Sequence, residues 1–146
     1  IPQFINEVPQ ALIRSQGATT LQQALRNVPG ISYAAAEGGI QANQVFYLRG
    51  FPVNQDFYLD GVRDPGEYNR DLFATESVEV LKGPSALMFG RGGSGGLINQ
   101  TSKVADLLPR KEVNVTLGSF EQKRLTADLN LRTSDSSAAF TGPITL

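Results

Sequence analysis

The chain of 146 residues contains no cysteine, no histidine and no tryptophan, and only one methionine. Without cysteine and histidine it has no thiol chemistry, no disulfides, no ordinary zinc ligands and no histidine general base. Neither a Ser/His/Asp nor a Cys/His catalytic arrangement can form in it. We therefore expect a protein that is not an enzyme and that binds no metal or cofactor directly.

A strong charge imbalance and long apolar runs are also missing. Thirteen basic and 14 acidic residues leave a formal net charge of −1, so no overall field attracts nucleic acid, and we expect no nucleic-acid partner. No apolar run reaches the ~18 residues of a membrane-spanning helix. Strands that cross a membrane would not produce such a run, so this length criterion applies to helices alone.

Two helices and several short strands are predicted before residue 108. Pro9 favours a short helix over residues 10–15, and a capping box at Thr19/Gln22 or Thr20/Gln23 starts a second. Its apolar face repeats with helical spacing, and Pro29-Gly30 ends it. Asp60-Gly61 predicts a tight turn. Strands are predicted over residues 31–36, 45–51, 56–62, 77–82 and 97–103, with a short helix over 84–88 and a polar loop over 63–73.

From Lys111 onward apolar and polar residues alternate with period two. Val113, Val115 and Leu117 point one way, and after a polar stretch the alternation resumes from Leu125 to Leu131. Periodicity alone favours a strand pair of a soluble sandwich. A transmembrane barrel, whose segments of ~9–11 residues alternate in the same way, is the other interpretation.

Six of the 15 glycines lie between Gly83 and Gly96, in KGPSALMFGRGGSGG. Such a stretch could cradle a phosphate, act as a linker, or let two backbones pass closely. A dinucleotide fingerprint needs the order strand, glycine loop, helix, with an acidic residue about 20 positions on. Here the loop follows a predicted helix and enters a strand, so close packing and left-handed turns are the better interpretation.

Charged residues flanked by apolar ones are the remaining unusual feature. Arg49 in YLRGF, and Glu79 and Lys82 in VEVLKG, either face solvent or pair within an interface. Seven carboxylates between Asp56 and Glu79 lack calcium-loop spacing and are interleaved with basic residues, which favours solvated loops or ion pairs.

Taken in order, five segments resemble the plug domain of TonB-dependent outer-membrane receptors, especially the ferric-siderophore branch. They are ALIRSQGATTLQQALRNVPGI, VFYLRGF, DFYLDGVRD, SVEVLKGPSALMFGRGGSGGLINQTSK and the alternating hairpin after Lys111. The resemblance implies an α+β plug, with a small mixed β-sheet and short helices, over residues 1–109. Residues 110–146 would begin a transmembrane β-barrel of about 22 strands, which replaces the sandwich interpretation.

The resemblance also implies a function. The plug would sit in the barrel lumen, in the outer membrane of a Gram-negative bacterium, and gate the uptake of a ferric siderophore, with energy transduced by TonB. The sequence GVRDPGEYNRD looks most like that of catecholate-type receptors. Expected partners are the ferric siderophore, TonB, the receptor's own barrel and the membrane.

The resemblance assigns site residues to three groups. The ligand would touch apical loops, and charged residues would meet the polar barrel wall. The glycines would permit compact turns. The expected ligand contacts are Gln41, Asn43, Gln44, Arg63, Tyr68 and Arg70; the expected interface residues are Arg49, Glu79, Lys82 and Arg91; the structural glycines are Gly50, Gly61, Gly83, Gly90, Gly92, Gly95 and Gly96.

Three departures from the family pattern lead us to expect a fragment. No TonB box precedes Ile1, most of a barrel is absent, and Gly142-Pro143 should break a third barrel strand. The alternative function is that of a soluble, β-rich interaction or adhesion module without a transport role.

Overall fold

The structure of the protein is a computed structural model that describes residues 4–34, 45–53, 56–65, 68–83, 95–104, 108–119, 123–132 and 137–144. Residues 131–132 and 137–144 are described by their backbone alone. The chain divides into two units, residues 1–102 and 103–146. The assignment of a plug to residues 1–109 and of barrel strands to 110–146 stays a prediction.

In its described residues, the first unit contains one mixed sheet, one small antiparallel sheet and two short helices. The mixed sheet has the order β1-β7-β8-β5-β6, in which only β5 and β8 pair in parallel, and the small sheet has the order β2-β3-β4. The expected α+β architecture is thus confirmed. The elements are β1 (Phe4–Pro9), α1 (Gln10–Ser15), α2 (Leu21–Leu25), β2 (Ile31–Ala34), β3 (Val45–Leu48), β4 (Phe51–Pro52), β5 (Phe57–Leu59), β6 (Val62–Arg63), β7 (Thr75–Lys82) and β8 (Gly96–Ser102).

Helix α2 begins at the second of the two possible capping boxes. The backbone N–H of Gln23 donates to the Thr20 hydroxyl, and the Gln23 side chain accepts from the Thr20 N–H. The helix ends at Leu25, before the stop predicted at Pro29-Gly30. Beyond Leu25 the chain forms a turn, in which the Val28 N–H donates a hydrogen bond to the Leu25 carbonyl. In the part of the chain that the structure describes, no helix is long and apolar enough to cross a membrane.

The core lies between the helices and one face of the mixed sheet. Alternate residues of β7, such as Val78 and Val80, are fully buried in it. Strand β8 is buried along residues 96–100 because both of its faces are covered. A smaller cluster on the other face contains Tyr58, Leu81 and Leu97.

Two hairpin turns have the same backbone form. Asp60-Gly61, predicted as a tight turn, joins β5 to β6, and both residues have positive φ (51° and 79°), as type I′ turns require. The prediction of one strand over residues 45–51 is wrong, because Arg49-Gly50 forms an equivalent turn (φ 55° and 84°) between β3 and β4. Arg49 is thereby placed at an exposed tip.

The second unit is an antiparallel sheet of three strands. Its order is β11-β10-β9, formed by β9 (Arg110–Leu117), β10 (Lys123–Arg132) and β11 (Ser137–Ile144). The alternating hairpin is confirmed, and its side chains Val113, Val115 and Leu117 are 63–75% exposed.

The prediction that Gly142-Pro143 ends the third strand is wrong. Strand β11 runs through both residues and pairs with β10, with Pro143 opposite Thr126. Within the described part of the second unit β11 is an edge strand, paired on one side. Proline is tolerated there because its missing N–H can fall on the unpaired side of the strand.

We expect Thr20→Ala to lower the free energy of unfolding by about 1 kcal/mol, because the Gln23 N–H loses its cap. Chemical denaturation followed by circular dichroism measures this. Thr20→Ser keeps the hydroxyl, so its free energy of unfolding should fall only slightly. Equal losses of stability in both variants would contradict the capping role.

Candidate functional site

The most organised polar cluster lies in the loop that follows β6. The Arg70 guanidinium is 3.3 Å from the Asp64 carboxylate, and it also donates to the Asp64 backbone carbonyl at 3.0 Å. It is stacked between two rings, 4.2 Å from the centroid of Phe57 and 4.5 Å from that of Tyr68. Although charged, Arg70 is only 7% exposed. A buried cation needs such partners, so these contacts hold the loop to the core.

Tyr68 covers Arg70 and faces outward. Its ring is half exposed, and its hydroxyl donates a hydrogen bond to the Asp64 carboxylate. This hydrogen bond, with a smaller contribution from desolvation, raises the pKa of the Tyr68 phenol above its ordinary value. The hydroxyl therefore remains a donor directed at Asp64.

The residues predicted to touch ligand differ in their accessibility. Arg63, the last residue of β6, is exposed, as is Tyr68, whereas Arg70 is buried beneath the Tyr68 ring. Ligand contact by all three stays a prediction. The other expected contacts, Gln41, Asn43 and Gln44, lie outside the described residues.

Sequence reasoning missed Asp64 as part of this cluster. From the sequence it is grouped with six other carboxylates as solvated loops or ion pairs, and the contact with Arg70 is one such ion pair. One feature of the sequence could have indicated this contact: Asp64 lies six residues before Arg70, with an aromatic residue between them. Charge and spacing alone do not reveal that the Arg70 guanidinium of this pair lies over the ring of Phe57.

Aromatic contacts continue from this cluster into the core. Phe57 meets Phe46 edge to face at 5.3 Å, and Phe46 meets Tyr33 in the same way at 5.2 Å. The Tyr33 hydroxyl then donates to the Gln22 carbonyl of α2 at 3.4 Å. Burial of the Tyr33 ring raises the pKa of its phenol to about 12.

The glycines at the start of β8 allow two backbones to approach closely. A Cβ atom on Gly95 would lie 2.6 Å from the Leu48 carbonyl oxygen. One on Gly96, whose φ is +130°, would overlap the Leu81 carbonyl oxygen and lie 2.7 Å from Leu48 Cδ2. Glycine is required here because any side chain would push the β3–β4 hairpin off the mixed sheet.

The other predicted structural glycines divide into two sets. Gly50, Gly61 and Gly83 have positive φ (84°, 79° and 109°). Gly90, Gly92 and the predicted helix over residues 84–88 lie outside the described residues. The Gly83 N–H donates to the Gly95 carbonyl at 3.1 Å and so closes the base of the intervening segment.

Of the predicted interface charges that the structure describes, Glu79 and Lys82 lie on β7 and Arg49 lies in a turn. Glu79 is half-buried on β7 and accepts from the Asn99 amide at 3.1 Å; the Asn99 carbonyl oxygen accepts from the Gly61 N–H. Lys82 is half-buried at the end of β7 and Arg49 is exposed. Arg91 lies outside the described residues. A role at a barrel wall stays a prediction for all four.

Comparison with known proteins gives consistent matches for this chain. The family described as TonB-dependent Receptor Plug Domain matches residues 1–97. The chain is 41% identical over 129 residues to a probable TonB-dependent receptor, BfrD, of Bordetella pertussis. It is 38% identical over 133 residues to the catecholate siderophore receptor Fiu of Escherichia coli.

Solved structures agree with the sequence matches. The crystal structure of the siderophore receptor PiuA from Acinetobacter baumannii superimposes with a TM-score of 0.87 at 37% identity, over 94% of this chain and 20% of PiuA. The matches to BfrD and Fiu cover 88% and 90% of this chain but only 17% and 18% of those receptors. The chain thus spans less than one fifth of these curated relatives.

Gly96→Ala is expected to lower the free energy of unfolding by about 2–4 kcal/mol, because it adds both a steric overlap and a strained φ. Chemical denaturation of the purified protein measures the loss. Gly50→Ala is the matched control: its φ is +84° but no atom lies within 4 Å of the added Cβ, so only about 1 kcal/mol of strain is expected. Equal losses would contradict the close-approach argument.

The raised pKa of Tyr33 predicts a loss of stability at alkaline pH. Between its ordinary value of 10.0 and about 12, the unfolded state releases the phenol proton while the folded state retains it, so the free energy of unfolding falls as pH rises. Denaturation at several pH values should show a steeper fall for wild type than for Tyr33→Phe. Parallel profiles would show that Tyr33 does not contribute.

Proposed function

The chain belongs to the TonB-dependent receptor plug domain family, and from this premise we propose that it is the plug of an outer-membrane active transporter for ferric siderophores. In this proposal the plug blocks the lumen of its own barrel until ligand binds. TonB then supplies the energy that opens the path. The match over residues 1–97 is the observation that carries the proposal, and it favours a receptor over a soluble interaction module.

We propose that residues 1–109 form the plug and that residues 110–146 form the first barrel strands. The exposed apolar side chains of β9 support this, because a barrel strand turns such a face toward lipid. The opposite face of this sheet carries polar groups, including Asp128, whose carboxylate is 2.7 Å from the Lys103 ammonium. Polar residues of this kind suit a barrel lumen.

The ligand surface is proposed to centre on Tyr68 and Arg63. Tyr68 offers a half-exposed aromatic face held over a cation, and Arg63 offers an exposed positive charge. A ferric catecholate is both aromatic and anionic, so it can stack on the ring and be attracted by the arginines. The relative named as a catecholate siderophore receptor supports this ligand class. Arg70 would act by positioning Tyr68, and Gln41, Asn43 and Gln44 would complete the surface.

The remaining predicted residues are proposed to fit the plug to its barrel. Arg49, Glu79, Lys82 and Arg91 would pair with polar groups of the lumen wall, where an unpaired buried charge would be costly. The ferric siderophore is cargo in this account. No cofactor and no catalytic step are required.

Titration of the purified full-length receptor with a ferric tris-catecholate tests the proposed function. Saturable quenching of receptor fluorescence by the ferric complex is expected, with much weaker binding of the iron-free catecholate. Localisation to the outer membrane after fractionation of cells is expected as well. A full-length protein recovered in the soluble fraction would contradict the proposal.

Tyr68→Ala should weaken binding of the ferric tris-catecholate about tenfold, because the stacking surface is lost. Tyr68→Phe retains the ring, so its affinity for the ferric tris-catecholate should stay close to that of wild type. The same fluorescence titration measures both variants. If Tyr68→Ala binds as tightly as wild type, Tyr68 is not a ligand contact.

A further inference from the structure

Asp64 contacts both Tyr68 and Arg70, the two residues of this loop that were selected from the sequence. Its carboxylate pairs with Arg70 at 3.3 Å and accepts the Tyr68 hydroxyl, while its backbone carbonyl accepts from Arg70 at 3.0 Å. The Asp64 side chain is 23% exposed, against 6% for Arg70. Asp64 is therefore the more accessible member of this ion pair.

This arrangement affects the charge that an approaching ligand meets. The Arg70 guanidinium lies 4.5 Å from the centroid of the Tyr68 ring, which is half exposed. A ligand stacked on the exposed part of that ring would be within one Debye length of Arg70, which is about 8 Å at physiological salt. The Asp64 carboxylate, at 3.3 Å from the same guanidinium, cancels much of that positive potential.

We propose that Asp64 is an internal counter-ion that masks Arg70 beneath Tyr68 and thereby limits the preference of this surface for anionic ligands. The inference rests on the proposed function, because it takes Tyr68 as the ligand surface. Asp64 would be a specificity-determining residue that does not itself need to touch the ligand. A receptor with a masked cation accepts ferric complexes of lower charge as well as strongly anionic ones.

The test compares two probes on the full-length receptor: a ferric tris-catecholate, which is anionic, and a ferric trihydroxamate, which is uncharged. Asp64→Asn removes the charge but keeps an amide oxygen that can accept the Tyr68 hydroxyl. We expect it to tighten binding of the catecholate about fivefold and to leave the trihydroxamate affinity unchanged. The gain should shrink as salt is raised.

A double-mutant cycle identifies the partner through which Asp64 acts. If Asp64 masks Arg70, Asp64→Asn should give no gain in catecholate affinity when Arg70→Gln is also present. Glu7→Gln is the matched control, since it removes one negative charge from β1, at the edge of the sheet opposite β6. Four strand spacings separate these edges, about 19 Å, so no change in affinity is expected.

The outcomes separate this inference from the function on which it rests. A wild-type receptor that binds neither ferric complex would overturn the proposed function. A wild-type receptor that binds, combined with an Asp64→Asn variant that binds both probes more weakly, would show that Asp64 only maintains the loop. A gain that persists in the Arg70→Gln background would show that Asp64 does not act through Arg70. Either of these last two results would overturn the counter-ion role.

Discussion

The close approach of two backbones at Gly95 and Gly96 is the constraint on which the first unit depends. At this point the start of β8 passes against Leu48 of the β3–β4 hairpin and against Leu81 of β7, with no room for a Cβ atom. One glycine pair thus fixes the small sheet against the mixed sheet. It also brings both ends of the glycine-rich segment together, through the bond from Gly83 to Gly95.

The proposed ligand surface is an extension of the same core. Phe57 belongs to β5, which pairs with β8, and its ring supports Arg70, which in turn supports Tyr68. Edge-to-face contacts continue from Phe57 through Phe46 to Tyr33, which hydrogen-bonds to α2. An exposed aromatic ring is therefore held by buried partners, which lowers the entropy that a ligand would have to remove on binding.

Local features were predictable from the sequence, and features that depend on distant partners were not. The capping box at Thr20, the turn at Asp60-Gly61 and the alternation after Lys111 each follow from a few neighbouring residues. The turn at Arg49 was missed because arginine rarely adopts positive φ, and the chain tolerates it there only because the hairpin imposes it. The burial of Arg70 and the continuation of β11 through Pro143 depend on Phe57, Asp64 and strand β10, which no local pattern reveals.

In the proposed function, this chain gates an energised transporter. Uptake of radioactive iron, supplied as a ferric tris-catecholate to iron-starved cells that rely on this receptor, tests it most directly when cells with and without TonB are compared. Uptake is expected to require both the receptor and TonB. Uptake that continues at the same rate without TonB, or no uptake by cells that contain both proteins, would contradict it.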